Sequence, residues 1–435
     1  MSAAAAPPAA RLHAWVAGRI EPAVLPAAAV SIVVALGFGL IVPVLPLYAR
    51  SFGVAAAQVG LLSSAFSLVR LVSDVPAGGL INRVGPARGV AVGTAIVAAS
   101  SAAAGLATSF VGLVVLRGLG GVGSALFSAG LMAYLITVIP RERMGRAMGL
   151  YQASFLLGSA VGPAVGGLTA GALGLRGPFF VYAGFCLAAT LVALVSLRGV
   201  RPGQAGRAGL AQHGEGRARG AAPDSTAGDT ESAAGERVGT YERARPSRLR
   251  PTRGLLAALA GGFALWWFMG SFRFLLVPLL AEEHIGLDVS AISFGLTVSA
   301  IANLCMTWPA GWAADRFGCH TVGVPAFAGI AVAAGVMLLA ADLPGYLAAN
   351  ALLGACYGAA AIVPGTLLAD AVPRERAGEA AGYNSAAADL GNVVGPLAVG
   401  ALLDFAGYPT ATALAITPVL LAAAAIAAAR PRRSP

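Results

Sequence analysis

The sequence has no lysine, and charged residues of all kinds make up only 11% of its 435 residues. A soluble globular domain carries about 25% charged residues, so the composition excludes a chain built of such domains. The four cysteines form no C-x-x-C pair and the four histidines are scattered, so no metal site is predicted. No nucleophile can be matched with a base and no phosphate-binding loop is recognisable, so we expect neither an enzyme nor a bound cofactor.

Apolar residues take the place of the missing charge. Hydrophobic residues make up 57% of the chain. Apolar stretches of about 20 residues, long enough to cross roughly 30 Å of hydrocarbon as helices, recur along most of it. The sequence therefore predicts an all-α polytopic membrane protein with twelve transmembrane helices. The predicted spans cover residues 23–49, 56–80, 88–108, 110–138, 145–172, 177–197, 254–281, 289–313, 320–341, 344–371, 377–403 and 408–429.

A polar segment divides the spans into two sets of six. Residues 199–253 are rich in Gly, Ala, Arg, Ser and Pro with few large apolar side chains, which predicts a disordered connector. Residues 1–22 lack the apolar core and cleavage site of a signal peptide, so they predict a tail that is not cleaved. The expected domains are the tail at 1–22, the N-terminal six-helix bundle at 23–198, the connector at 199–253, the C-terminal six-helix bundle at 254–429 and a second tail at 430–435.

The distribution of arginine predicts the orientation in the membrane. The 29 basic residues are all arginine, and the formal net charge is +10. Of these arginines, 24 fall in the tails, the connector and the loops on one side of the predicted membrane. Only Arg50 and Arg176 fall on the other side, while Arg70, Arg117 and Arg273 lie inside spans. The positive-inside rule places both tails and the connector in the cytoplasm. The basic charge therefore reports topology, and we expect no binding of nucleic acid.

Residues 140–167 return as residues 373–400. The two stretches align without gaps at an offset of 233 residues and are identical at 14 of 28 positions. An internal repeat of this length indicates that the chain consists of two related halves. Because an even number of spans separates the copies, both halves enter the membrane in the same direction. Parallel repeats of this kind are found in one large class of secondary transporters.

The same offset aligns two copies of a loop motif, G-x-x-x-(D/N)-R-x-G, after the second and eighth predicted spans. The motif resembles the signature of the major facilitator superfamily. The resemblance implies two six-helix bundles and a latch that joins them on the cytoplasmic side, with Asn82 standing where an acid is commonest. A plain interhelical turn is the alternative interpretation. The predicted latch residues are Gly78, Asn82, Arg83 and Gly85 in the first copy and Gly311, Asp315, Arg316 and Gly318 in the second.

Two further motifs resemble elements of the drug:proton antiporters of this superfamily. Arg117 begins R-x-x-x-G-x-G in the fourth span, and the resemblance implies a role in proton coupling. The alternative is an arginine that snorkels to the membrane surface. The fifth span carries G-x-x-x-G-P-x-x-G, which resembles the antiporter motif of the efflux branch, whereas a packing face of small residues is the alternative. The first span lacks the acid that many such antiporters hold there. The antiporter-motif residues are Gly158, Gly162, Pro163 and Gly166.

Acidic residues inside the spans are the other candidates for proton coupling. Asp389 lies about 12 residues into the eleventh span, roughly 18 Å from its cytoplasmic end, and carboxylates at such depth form proton relays. Asp74 follows Arg70 by one helical turn, which predicts an ion pair. Purely structural ion pairs are the alternative for both acids. In the superfamily the first, fourth, seventh and tenth spans line the cavity. The substrate-cavity candidates are accordingly Trp267, Arg273, Asn350 and Tyr357.

The resemblance implies a secondary active transporter that exports a small organic molecule or drug by proton antiport and alternating access. We expect the proton gradient to drive it, with a small-molecule substrate and membrane lipid as partners. We also expect a functional monomer in the inner (plasma) membrane with both termini in the cytoplasm. Two alternatives stay open. One is a proton-coupled symporter importing an organic anion, because three arginines but few acids lie in the spans. The other is a non-transporting membrane sensor or scaffold.

Overall fold

The computed structural model describes residues 24–139, 144–197, 252–372 and 377–429. Both predicted tails, residues 199–251 of the predicted connector and the two P-R-E-R loops of the repeat lie outside the described residues. The described helices are α1 (Val24–Arg50), α2 (Ala56–Val84), α3 (Pro86–Gly105), α4 (Phe110–Val138), α5 (Met144–Leu173), α6 (Gly177–Ser196), α7 (Arg253–Glu283), α8 (Val289–Phe317), α9 (Cys319–Leu338), α10 (Leu343–Ala371), α11 (377–406) and α12 (408–428).

Eleven stretches of the described residues are long and apolar enough to cross a membrane. The last of them, Gly382–Ala428, contains two helices, because the backbone breaks at Gly407 with a φ of 74°. The prediction of an all-α protein with twelve spans is therefore confirmed.

Several helices are interrupted in mid-course. α1 breaks after Ile41 and resumes at Val44. Pro43 lies in this break, where its ring and its missing N–H stop a regular α-helix. α7 contains an eight-residue π-helical segment, Met269–Leu276. Such segments are rare and recur at functional sites.

Local capping explains where many helices begin. Gly85 and Gly318, the last residues of the two loop motifs, adopt φ values of 91° and 89°, which only glycine adopts readily. They allow tight reversals from α2 to α3 and from α8 to α9. Elsewhere a polar side chain accepts a hydrogen bond from the first turn of the helix. These N-caps are Ser109 for α4, Thr252 for α7, Asp288 for α8 and Asp342 for α10.

The helices form two bundles of six. In the first, α1 packs on α5 and α6, α3 on α4 and α6, and α2 on α4. In the second, α8 and α9 pack on α10, while α7 and α9 pack on the stretch that forms α11 and α12. The bundles meet along two seams, α2 with α11 and α5 with α8. A transport pathway between the bundles must therefore lie between these seams.

Candidate transport pathway

The two bundles are tied together at one end of the molecule. Arg50, the last residue of α1, donates a hydrogen bond of 3.1 Å from Nε to Oε1 of Glu283, the last residue of α7, and Nη2 contacts the same oxygen. The Tyr408 hydroxyl donates to the other carboxylate oxygen of Glu283 at 2.6 Å. We term this end of the molecule, where α1 and α7 finish, the closed end.

The α2–α11 seam is held by direct polar and backbone contacts. The Ser64 hydroxyl donates to the Val393 carbonyl at 2.6 Å, and Nδ2 of Asn392 donates to the Ser67 hydroxyl at 2.7 Å. Nearer the closed end, a Cβ placed on Gly60 would lie 2.2 Å from a backbone oxygen of α11. The two helices therefore approach closely enough that no side chain fits at this position.

The α5–α8 seam repeats this arrangement through the internal symmetry. A Cβ on Gly167 would lie 2.4 Å from Cβ of Ser293, and the Ser290 hydroxyl donates to the Gly167 carbonyl at 3.3 Å. The repeat offset relates Gly167 to Gly400, where a Cβ would lie 2.6 Å from the Ala56 carbonyl oxygen in the other seam. Equivalent glycines thus hold both seams at the closed end.

The opposite end lacks such a tie among the described residues, and we term it the open end. Among the described residues, no hydrogen bond or ion pair joins the halves beyond Ser67 and Asn392 toward the two latch loops. Asn82 and Asp315, the polar residues of those loops, are exposed. The predicted latch loops make no hydrogen bond or ion pair across the halves within the described residues, and their role as a latch stays a prediction.

The other latch residues agree with an open end. Arg83 is exposed, and a Cβ on Gly78 or Gly311 would meet nothing within 4 Å. The Arg316 guanidinium stacks over the ring of Trp312, 5.5 Å from its centroid, within its own half. Both loops keep the local turn geometry set by Gly85 and Gly318.

Three charged groups come together between α2 and α11. Asp74 and Asp389, one from each half, both lie within electrostatic range of Arg70. The predicted Arg70–Asp74 ion pair is wrong, because Arg50–Glu283 is the only ion pair among the described residues, with oppositely charged side-chain N and O atoms within 4.0 Å. Arg70 precedes Asp74, which is the less favourable order for an i,i+4 pair. The two acids share one arginine, whose buried Nε has no hydrogen-bond partner among the described residues.

Arg117 is buried rather than snorkelled. Only 6% of the residue is exposed, and its guanidinium lies 4.8 Å from the ring centroid of Phe66. Its Nε has no hydrogen-bond partner in the part of the chain that the structure describes. A ring face stabilises a cation without neutralising it, and no carboxylate of the described residues lies within 4.0 Å of Arg117.

Aromatic contacts connect this arginine to the second bundle. Phe66 of α2 packs on Phe38 of α1, and Phe38 packs edge-on against Phe274 of α7, with centroid distances of 6.4 Å in both cases. We term Phe66, Phe38 and Phe274 the aromatic bridge. Sequence reasoning missed it, because the helical pattern of one span does not reveal which residues of the other half it faces.

Arg273 lies within the π-helical segment of α7. It is 7% exposed, and its Nη2 donates to the Leu296 carbonyl of α8 at 3.4 Å. Tyr346 and Tyr357 of α10 lie within its electrostatic range. Of the four residues predicted to line the cavity, the structure therefore brings Arg273 and Tyr357 near each other. Trp267 instead packs against Gly391 and Gly395 of α11.

Two other cavity candidates carry polar atoms without partners. Nε1 of Trp267 and Oδ1 of Asn350 are buried and make no hydrogen bond within the described structure. Tyr357, in contrast, donates to the Leu265 carbonyl at 3.3 Å. The indole N–H of Trp267 is thus a buried donor without an acceptor, and the amide oxygen of Asn350 is a buried acceptor without a donor. A bound ligand can supply the missing partners.

The antiporter-motif glycines form a backbone contact inside the first bundle. A Cβ on Gly158, Gly162 or Gly166 would lie 2.4, 2.6 or 2.2 Å from a backbone atom of α1. Pro163 lies among them within α5. The motif therefore packs α5 directly on α1, while Gly167, the next residue, contacts the other half.

Two parallel six-helix repeats that meet along two seams are the arrangement of one large class of membrane transporters. The family model described as Major Facilitator Superfamily matches residues 27–280 and again residues 258–435. The chain belongs to the major facilitator superfamily. It is therefore a multi-pass membrane protein of a superfamily of transporters, not of enzymes.

Individual proteins resemble the chain to different extents. Multidrug resistance protein 2 of Bacillus subtilis (strain 168) is 31% identical over 163 residues, which are 38% of this chain and 40% of that protein. The matched part is thus about two fifths of that relative's length.

A bacterial homologue of the human lysosomal transporter Spinster, solved in an inward-facing and occupied conformation, has a similar fold. It gives a TM-score of 0.69 at 15% identity, and the match covers 93% of this chain and 96% of that chain. The nucleoside transporter NupG, solved as a point mutant, gives 0.68 at 12% identity, covering 94% of this chain and 100% of its own. At these identities the two structures support the fold alone.

Proposed function

We propose that the chain exports a small organic molecule or drug from the cytoplasm by proton antiport. The observation that carries the proposal is that Asp74 and Asp389, from opposite halves, share Arg70 without forming an ion pair among the described residues. A carboxylate at this depth without a fixed partner is suited to bind and release a proton. Because the acids lie on the two helices of one seam, a proton on either changes the attraction between the halves. The similarity to Multidrug resistance protein 2 supports export as the direction.

The distribution of arginine supports an orientation with the open end toward the cytoplasm. Both termini then lie in the cytoplasm, with the protein in the plasma membrane. The described conformation corresponds to the inward-facing state, in which cargo enters from inside the cell. Opening of the closed end and engagement of the latch loops at the other end would complete alternating access.

The cargo site that we propose lies against α7 and α10. Trp267 and Asn350 offer an unsatisfied donor and acceptor, and Arg273 and Tyr357 offer charge and a ring. Arg117 lies at the far end of the aromatic bridge. We assign Arg117 to coupling between cargo and proton, since the bridge links it to the helix that carries Arg273.

The test is efflux of a panel of fluorescent dyes and antibiotics from cells that express the chain, with and without a protonophore. We expect export that stops when the proton gradient collapses and that is lost in Asp389→Asn and reduced in Asp74→Asn. The matched control is Asp370→Asn, which changes an exposed acid of α10 and is expected to leave export unchanged. Export that continues at the wild-type rate with the protonophore present would refute proton antiport.

Uptake of an organic anion is the second candidate. Among the described residues, no carboxylate lies within 4.0 Å of the buried Arg117 or Arg273, so two cations inside the membrane lack a close counter-charge there. Counterflow of radiolabelled organic anions in proteoliposomes tests this candidate directly. Accumulation that depends on Arg273 and is absent for neutral analogues would replace the export proposal. A purified chain that transports nothing in either assay would favour the sensor or scaffold alternative.

A further inference from the structure

The N-cap residue of helix α2 has no side chain that can cap the helix, although Oε1 of Gln58 accepts a hydrogen bond from its backbone N–H at 3.0 Å. This N-cap residue is Ala55, whose side chain accepts no hydrogen bond. The carboxylate of Asp404, near the end of α11 in the other half, takes this role. Its Oδ1 accepts from the Ala56 N–H at 2.9 Å, and its Oδ2 accepts from the Ala57 N–H at 2.8 Å. A helix of the first bundle is thus capped across the seam by the second bundle.

The equivalent helix of the second half is capped in a different way. The repeat offset relates Ala55 to Asp288, which caps its own helix by accepting from the N–H groups of Ser290 and Ala291 at 3.3 and 3.2 Å. The same offset relates Asp404 to Gly171, which has no side chain to cap with. In both halves an aspartate therefore accepts hydrogen bonds from the first turn of this helix. Only α2 is capped by an aspartate that belongs to the opposite half.

We propose that Asp404 is a positioning residue of the transport cycle, which stabilises the conformation shut at the closed end by capping α2 across the halves. The inference rests on the proposed alternating-access function. A cap within one helix, such as Asp288 on α8, persists in every conformation. The Asp404 cap exists only while α11 lies against α2, because the carboxylate and the two N–H groups separate when this end opens.

The cap lies in the same seam as the three charged groups Arg70, Asp74 and Asp389. Asp404 lies on the same helix as Asp389 and Asn392, and all three face α2. The α5–α8 seam has Gly171 in place of the acid and is joined through Ser290 and Gly167. At the closed end the α2–α11 seam therefore carries two hydrogen bonds to an acid that the α5–α8 seam lacks.

The distance between Leu106 and Leu339 reports opening of this end. The two residues are 65% and 83% exposed, lie in the α3–α4 and α9–α10 loops at the closed end, and are related by the repeat offset. Spin labels are placed at both positions in the full chain, with the four native cysteines replaced, and distance distributions are recorded by pulsed dipolar spectroscopy. Asparagine keeps one acceptor oxygen but places an NH2 group where the second oxygen accepted a hydrogen bond, and it loses the negative charge that the N-terminus of α2 favours. Asp404→Asn is therefore expected to raise the long-distance population by about twofold to fivefold.

A compensating variant separates this role from a general loss of stability. Ala55→Asp supplies α2 with the cap that α8 has in Asp288, so α2 is capped in both conformations. We expect Asp404→Asn to have no further effect on the populations in that background. The matched control is Asp342→Asn, which makes the same change at an N-cap acid that lies within its own helix α10 at the same end, and which should leave the distances unchanged.

The proposal is overturned if Asp404→Asn leaves the distance distribution unchanged, or if its shift persists undiminished beside Ala55→Asp. Neither result depends on the cargo or on the coupling ion. A failure of proton antiport in the efflux assay would therefore leave the distance experiment interpretable on its own.

Discussion

Arg50 and Glu283 occupy equivalent positions in the two halves, 233 residues apart, and bind each other at the closed end. The symmetry that relates the repeats brings such equivalent positions together where the halves meet. Identical charged residues there would repel each other. Opposite charges at equivalent positions instead convert the symmetry into an attraction, and Tyr408 orients the carboxylate from a third helix.

Reversing this pair tests its contribution to closure. The side chains are 32% and 34% exposed, so the pair is worth about 0.5 to 1 kcal/mol and is screened by salt. We expect Arg50→Gln and Glu283→Gln each to shift the Leu106–Leu339 distances toward opening by about twofold to fivefold, and high salt to do the same in the wild type. The exchanged variant R50E/E283R should recover closure in part, since it restores the pair but loses the Tyr408 hydrogen bond. Equal opening in the exchanged and single variants would contradict this account.

Substitution of Gly162 tests the backbone contact between α5 and α1. A Cβ there would lie 2.6 Å from a backbone oxygen, so Gly162→Ala is expected to destabilise the protein by about 1 to 3 kcal/mol. Gly149→Ala is the matched control in the same helix, because a Cβ at Gly149 meets nothing within 4 Å. That change should be neutral or stabilise α5 by about 0.5 to 1 kcal/mol. Thermal unfolding in detergent measures both, and similar unfolding temperatures for the two variants would argue against close packing.

Replacement of Arg117 by lysine tests whether the planar group matters beyond its charge. Lysine keeps the charge but does not stack on Phe66 as a guanidinium does, so we expect Arg117→Lys to impair transport severely. Phe66→Leu should impair it in the same direction. The double variant should be no worse than Arg117→Lys alone, because both changes remove one interaction. Phe294→Leu, which changes an exposed ring of α8, is the control in the same transport assay. Full activity of Arg117→Lys would contradict this account, since it would show that only the positive charge at this position matters.

The sequence predicted those features that depend on neighbours along the chain. The twelve spans followed from runs of apolar residues, and the two related halves followed from the repeat at an offset of 233. The turns at Gly85 and Gly318 also followed from the loop motif. The Arg70–Asp74 ion pair was predicted wrongly from i,i+4 spacing, because that rule takes no account of Asp389 on the facing helix.

The sequence by itself determined the spans, the parallel repeats and the membership of a transporter superfamily, because hydrophobic length and local motifs act over one helix or one turn. The tertiary structure decided which residues meet across the halves: Arg50 with Glu283, Phe38 with Phe274, and Asp404 with the start of α2. It also placed the π-helical segment that carries Arg273. These contacts depend on how two separately formed bundles pack. Their free energy comes from surfaces that no single stretch of chain contains.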